Sequence, residues 1–166
     1  MNKVELIKEH GLIVILRGVG KDKLVKTLTA VYEGGGRVAE ITFDPSDGDT
    51  VNKTAELIKI AKTALPDMLI GAGTVTKKEY IKPAKRAGAD FIVSPDTDAE
   101  IIRFTKKCKL ISIPGAMTPT ECKTAVKNGA DIVKLFPATA DKVPYIINIM
   151  RPLSDIPFPR REHRSS

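Results

Sequence analysis

Asn128-Gly-Ala-Asp-Ile-Val-Lys-Leu-Phe-Pro137 is the stretch on which the fold turns. Ile132, Val133, Leu135 and Phe136 make a short apolar run closed by a proline, the pattern of a buried strand. Lys134 stands in the middle of it. An ammonium group there is costly unless it is paired or neutralised. Burial of that kind depresses a lysine pKa and frees its lone pair, which is how a Schiff-base nucleophile is made. The plainer alternative is a lysine at a strand end whose amine reaches water, and an isolated case would be read that way.

Upstream, Ala87-Gly-Ala-Asp-Phe-Ile-Val-Ser-Pro95 repeats the same order of helix end, Gly-Ala-Asp, apolar strand and proline. Short apolar runs alternate with amphipathic stretches along the whole chain. Strands are expected at Leu12–Arg17, Val38–Phe43, Met68–Ala72, Phe91–Ser94, Leu110–Ile113 and Asp131–Phe136. Helices are expected at Val4–Glu9, Lys21–Glu33, Val51–Ala64, Lys77–Ala87, Asp98–Lys107, Pro119–Lys127 and Val143–Met150. Thr76 with Glu79, and Thr118 with Glu121, have the spacing of capping boxes. Gly88 and Gly129 sit where helices end on a left-handed glycine. Six βα units with strands apolar on both faces argue for a parallel α/β fold, either barrel or doubly wound.

Period-2 alternation separates these two. Ile132, Lys134 and Phe136 share a face against Val133 and Leu135. Val38, Glu40 and Thr42 oppose Ala39, Ile41 and Phe43, while Ile13, Ile15 and Arg17 oppose Val14 and Leu16. One face is apolar and fit to lie under helices, and the other carries a polar group towards the strand's C-terminal end. That is the interior of a (β/α)₈ barrel of TIM type, whose chemistry gathers at the C-terminal mouth.

The 166 residues suffice for one domain. A net charge of +7 could suit nucleic acid, but the lysines are spread over helical stretches and aromatics are only 5%, so stacking platforms are scarce. A nucleic-acid module ranks well below an enzyme. Cys108 and Cys122 have no CxxC or histidine cluster near them, which points to free thiols in a reducing compartment and to no metal site. The longest early apolar run, Leu12–Leu16, is too short for a membrane span or leader. A cytoplasmic protein without membrane partners is expected.

Glu40, flanked by apolar residues, is either a partner for a cation or a general acid/base with a raised pKa; beside Lys134 the second role is favoured. Arg17 can fork onto a carboxylate or phosphate, or neutralise Glu40. Gly71-Ala-Gly-Thr-Val75 places small residues where backbone must approach a ligand, although any tight βα turn could use them. Arg17, Glu40, Thr74, Pro95, Pro114 and Lys134 mark the C-terminal ends of strands one to six.

Taken in order, Ile-Val-Ile-Leu-Arg-Gly, Ala-Glu-Ile-Thr-Phe, Gly-Ala-Gly-Thr-Val, Phe-Ile-Val-Ser-Pro, Ile-Pro-Gly-Ala-Met-Thr-Pro-Thr-Glu and Ala-Asp-Ile-Val-Lys-Leu-Phe-Pro-Ala resemble the 2-keto-3-deoxy-6-phosphogluconate and 2-keto-4-hydroxyglutarate aldolases. The resemblance implies a class I aldolase, usually a homotrimer of (β/α)₈ barrels, that needs no metal or cofactor. It implies Lys134 as the Schiff-base lysine and Glu40 as the proton carrier. Arg17 and Thr74 would engage a small 2-keto acid, with Pro95 and Phe136 lining its pocket. The products would be pyruvate and an aldehyde, glyceraldehyde 3-phosphate or glyoxylate.

Two departures from the family follow. Asp44 stands where many members have arginine, which reverses a charge near the site and leaves Arg17 with more to do. After Pro157 the family pattern stops. Residues 1–157 are therefore read as a partial barrel of about six units with the last two missing, and 158–166 as a disordered non-family tail. With elements seven and eight absent, phosphorylated substrate is expected to bind poorly. The second reading is a non-catalytic remnant that self-associates or holds pyruvate-like ligands. A phosphate-binding barrel of isomerase type is weaker, since it gives Lys134 no role opposite Glu40.

Overall fold

The computed structural model of the protein describes residues 2–139, 141, 144, 145, 148 and 151–153. Six strands carry the fold: β1 (Val14–Leu16), β2 (Val38–Thr42), β3 (Leu69–Gly73), β4 (Phe91–Ser94), β5 (Ile111–Ala116) and β6 (Lys134–Leu135). Helices α1 (Lys3–His10), α2 (Lys21–Glu33), α3 (Thr50–Ala64), α4 (Ile81–Arg86), α5 (Ala99–Lys107) and α6 (Pro119–Lys127) precede or join them. Every pairing is parallel, and the strands lie side by side in chain order. Sequential βα crossovers of one hand curl such a sheet towards a barrel. The described residues form a six-stranded parallel half-barrel.

Two apolar layers follow from the alternation. Leu16, Ala39, Ile41, Ile70, Ala72 and Ile92 face outward onto Leu24 and Leu28 of α2, Ile58 and Ala61 of α3, and Ile81 and Ala84 of α4. Val38, Leu69, Phe91, Val93, Ile111, Ile113 and Ile132 face inward, where Val4, Leu6 and Ile7 of α1 pack against them. α1 thereby stops the bowl at the N-terminal ends of the strands and leaves its C-terminal mouth for function. Asn2 and Glu5 close α1's N-terminus with a reciprocal capping box.

The Gly-Ala-Asp echo has a structural purpose. Asp90 accepts the Ile70 N–H of β3 at 3.0 Å and the Lys62 ammonium of α3 at 3.1 Å. Asp131 accepts the Ser112 N–H of β5 at 2.8 Å and the Lys106 ammonium of α5 at 2.7 Å. Each aspartate, at the entry to its strand, ties that strand to the neighbouring one and to the helix that leads into that neighbour. Gly88 and Gly129 take positive φ, +100° and +99°, as their helix-end positions require. Both cysteines are free and buried.

Several boundaries differ from expectation. Thr118 and Glu121 form their capping box, but Thr76 and Glu79 do not. Lys78–Tyr80 make a 3₁₀ turn, and α4 begins only at Ile81. Pro83 is the reason: it lacks an N–H and so belongs in a first turn, which delays the α-helix. β5 runs through Pro114, opposite Ser94, to Ala116, since a proline removes one N–H without breaking register. β6 is shorter than expected because the Asp131 and Ile132 N–H groups converge on the Ser112 carbonyl, at 3.0 and 3.3 Å. The regular ladder with β5 starts at Lys134. Most of the expected helix Val143–Met150, and the whole of 158–166, lie outside the described residues.

Candidate active site

Glu40 is the fully buried carboxylate of the inner face, 4% exposed in the middle of β2. Its side chain rises across β3: a Cβ built on Gly73 would lie 1.8 Å from Glu40 Oε1 and 2.4 Å from its carboxyl carbon. Gly73 is thus the recess that admits the carboxyl group. Gly71 does the same for the Phe91 ring, whose atoms lie 2.1–2.4 Å from where a Cβ would stand. The small residues of Gly71-Ala-Gly make room for the protein's own side chains, and no ligand is needed to explain them.

Burial pushes the Glu40 carboxyl above its ordinary range, because the ionised form loses its water. The Lys134 ammonium and the Arg17 guanidinium oppose that rise more weakly. Both cations are near enough to be felt, but neither forms an ion pair with Glu40 within 4.0 Å. Glu40 is therefore not spent on a structural salt bridge, and Arg17 does not serve chiefly to neutralise it.

Lys134 stands on the inner face of β6, opposite Gly115 of β5. It is half-buried, not engulfed as an ammonium within a fully covered strand would be, because β6 pairs only with β5 among the described residues. Its Nζ lies 4.9 Å from the centre of the Phe136 ring, a cation–π contact. Phe136 follows the strand and is 42% exposed. Across from it the Pro95 carbonyl, just past β4, approaches Gly115 so closely that a Cβ there would lie 2.2 Å from the oxygen.

Thr74 follows β3 with φ at +57°, strained backbone for a β-branched residue. Arg17 is exposed at the end of β1. These two share a cavity of about 400 Å³ that opens at the C-terminal ends of β1 and β2 and runs between α2 and α3. Thr42, Asp44, Thr50 and Lys53 also line it. Glu40, Lys134, Pro95 and Phe136 do not; Glu40 and Lys134 share the inner face of the sheet. The described residues thus hold an acid and an amine on the inner face, and a separate cavity lined by Arg17 and Thr74 beside α2 and α3.

Sequence reasoning singled out six residues and missed Gly73 as the carboxyl recess. It also missed how Asp44 is held. Asp44 Oδ1 accepts the Ser46 N–H at 3.0 Å and the Ser46 hydroxyl at 2.6 Å, and these bonds keep its carboxyl below the ordinary range. The signal was present in Asp44-Pro-Ser, a turn former in which an aspartate bonds two residues on.

The family model of the KDPG and KHG aldolases matches residues 4–160. The chain is 35% identical to the 2-dehydro-3-deoxy-6-phosphogalactonate aldolase of Escherichia coli over 81% of its own length and 63% of that protein's. It is 30% identical to the 2-dehydro-3-deoxy-phosphogluconate aldolase of Haemophilus influenzae over 82% of its length and 62% of that protein's. The chain therefore spans under two thirds of the length of both relatives. In fold it is similar to the KDPG aldolase of Legionella pneumophila, solved with pyruvate captured as a covalent carbinolamine. There the TM-score is 0.81 at 23% identity, with 95% of this chain and 74% of that one covered.

Proposed function

The chain belongs to the KDPG and KHG aldolase family, and from that premise we propose that it performs class I aldol cleavage of a 2-keto acid, with Lys134 as nucleophile and Glu40 as proton carrier. The observation that carries the reading is the facing of a buried carboxyl, its pKa raised by desolvation, and a half-buried amine across one inner sheet face.

Neutral Lys134 Nζ adds to the C2 carbonyl carbon. One proton of the attacking amine passes to the oxygen and Glu40 delivers a second, so that it leaves as water and gives an iminium. The C4 hydroxyl then loses its proton to the Glu40 carboxylate as the C3–C4 bond breaks. The electron pair of that bond flows into the iminium to form an enamine, and the aldehyde departs. Protonation at C3 and hydrolysis release pyruvate and restore the amine. A carboxyl whose pKa is raised by burial suits this exchange better than an ordinary one, since it returns to its protonated form more readily. Arg17 and Thr74 hold the substrate's anionic end, while Pro95 and Phe136 shape the space beside the amine.

Reduction with borohydride in the presence of pyruvate tests the reading. A reduced pyruvyl adduct on the peptide containing Lys134 is expected. A folded sample with no adduct would leave the non-catalytic reading in its place.

A further inference from the structure

Lys134 is held in place by a short ladder. β6 has two residues and pairs only with β5 among the described residues, with Lys134 opposite Gly115 and Leu135 opposite Ala116. The backbone at Gly115 therefore sets where the amine stands, and whatever fixes Gly115 fixes Lys134 in turn.

Gly115 is fixed from the β4 side. Its position has no room for a side chain: a Cβ there would lie 2.2 Å from the Pro95 carbonyl oxygen, 2.5 Å from its carbon and 3.1 Å from the Asp96 nitrogen. Onto the Gly115 carbonyl the Thr97 hydroxyl donates a hydrogen bond of 2.6 Å. The connection that carries this hydroxyl is tied down on both sides. Before it, the Ser94 hydroxyl donates to the Asp96 carbonyl at 3.0 Å, and Ser94 is buried opposite Pro114 in the β4–β5 ladder. After it, Asp98 caps α5 by accepting the Glu100 and Ile101 N–H groups at 2.7 and 3.0 Å, and Ile101 and Ile102 bury that helix in the core. Thr97 is half-buried between these anchors. Asp98 supplies the helix cap, so the Thr97 hydroxyl is left to the end of β5.

We propose that Thr97 is a positioning residue for the aldol reaction: its bond to Gly115 fixes the end of β5 and, through the β5–β6 ladder, the reach of the Lys134 amine. The inference rests on the aldolase reading and adds to it a residue that acts through the Gly115 backbone.

The full chain is mixed with saturating pyruvate and quenched with borohydride at timed intervals, and the Lys134 peptide is followed by mass spectrometry. Thr97→Val keeps the shape and removes the donor, whereas Thr97→Ser keeps the donor. Displacing a reacting group by about 1 Å costs on the order of 10²-fold, and a lost tether allows part of that shift, so Thr97→Val should form the adduct about tenfold more slowly. Its final share of labelled chains should match wild type. Thr97→Ser should stay within about twofold of the wild-type rate. Mere loss of folded protein would instead lower the final share and leave the rate of the remainder unchanged. Thr97→Ala, which also lacks the donor, serves should Thr97→Val not fold. A Thr97→Val rate within about twofold of wild type, a fall in final share alone, or a Thr97→Ser rate as slow as that of Thr97→Val would overturn the proposal and leave the aldolase reading in place. No adduct on the folded wild-type chain would overturn both.

Discussion

Gly73 and Glu40 depend on one another. A methyl group at Gly73 would stand 1.8 Å from Glu40 Oε1, so Gly73→Ala must expel the carboxyl from its recess. Overpacking of that kind costs about 1–3 kcal/mol, and a misplaced proton carrier costs on the order of 10²-fold in rate. Urea unfolding and steady-state cleavage assays should show both losses. Glu40 itself gives a pH signature. Its carboxyl is raised in the folded protein, so the native state holds its proton more tightly than the unfolded chain does. Stability should fall as pH climbs from the ordinary value of 4.5 through the raised folded value, and the penalty should persist above it. Glu40→Gln should therefore melt higher than wild type at neutral pH, lose that advantage below pH 4.5, and lose cleavage. A melt series showing the opposite slope would mean that Glu40 is stabilised by a cation and does not act as a desolvated acid. Glu40's inward direction was legible from alternation with Ala39 and Ile41. The recess was not, because a glycine leaves no mark on hydrophobic periodicity, and Gly71-Ala-Gly reads equally well as a ligand loop.

At the scale of the elements, the two Gly-Ala-Asp segments make unequal ties. Asp90 is nearly buried and accepts from Lys3, Lys62 and the Ile70 N–H, whereas the Asp131 side chain is 21% exposed and pairs with Lys106, which is more exposed than Lys62. Removing the deeper acid strands a backbone donor and a half-buried ammonium. Asp90→Ala should cost about 2–3 kcal/mol and Asp131→Ala about 1 kcal/mol, with water replacing more of the lost bonds in the second case. Chemical denaturation of the two variants decides the order. The echo was visible as phasing from composition alone, and it placed both strands. Its role as a lysine–aspartate–backbone tie was not visible, because Lys62 and Lys106 lie 28 and 25 residues from their partners. Pro83 shows the opposite failure. Its effect on α4 is local and was readable, but the capping-box spacing of Thr76 and Glu79 outweighed it.

For the whole molecule, the parallel order β1 to β6 and the two-faced burial were legible because each strand declared its faces independently. The plug formed by α1 was less so, since an eight-residue amphipathic helix does not say which layer it joins. Phe91 anchors the inner layer against the open recess at Gly71. Phe91→Ala should cost about 3–5 kcal/mol and lower the melting temperature by roughly 2–4 °C for each of these. On the proposed reading, these layers hold the Lys134 amine and the Glu40 carboxyl on one inner face. The most direct test of that claim is borohydride reduction of the folded chain with pyruvate, followed by peptide mass spectrometry. A reduced pyruvyl adduct on Lys134 that vanishes in Lys134→Arg is the expected result. A folded chain with no adduct, or one whose adduct sits on another lysine, would contradict it.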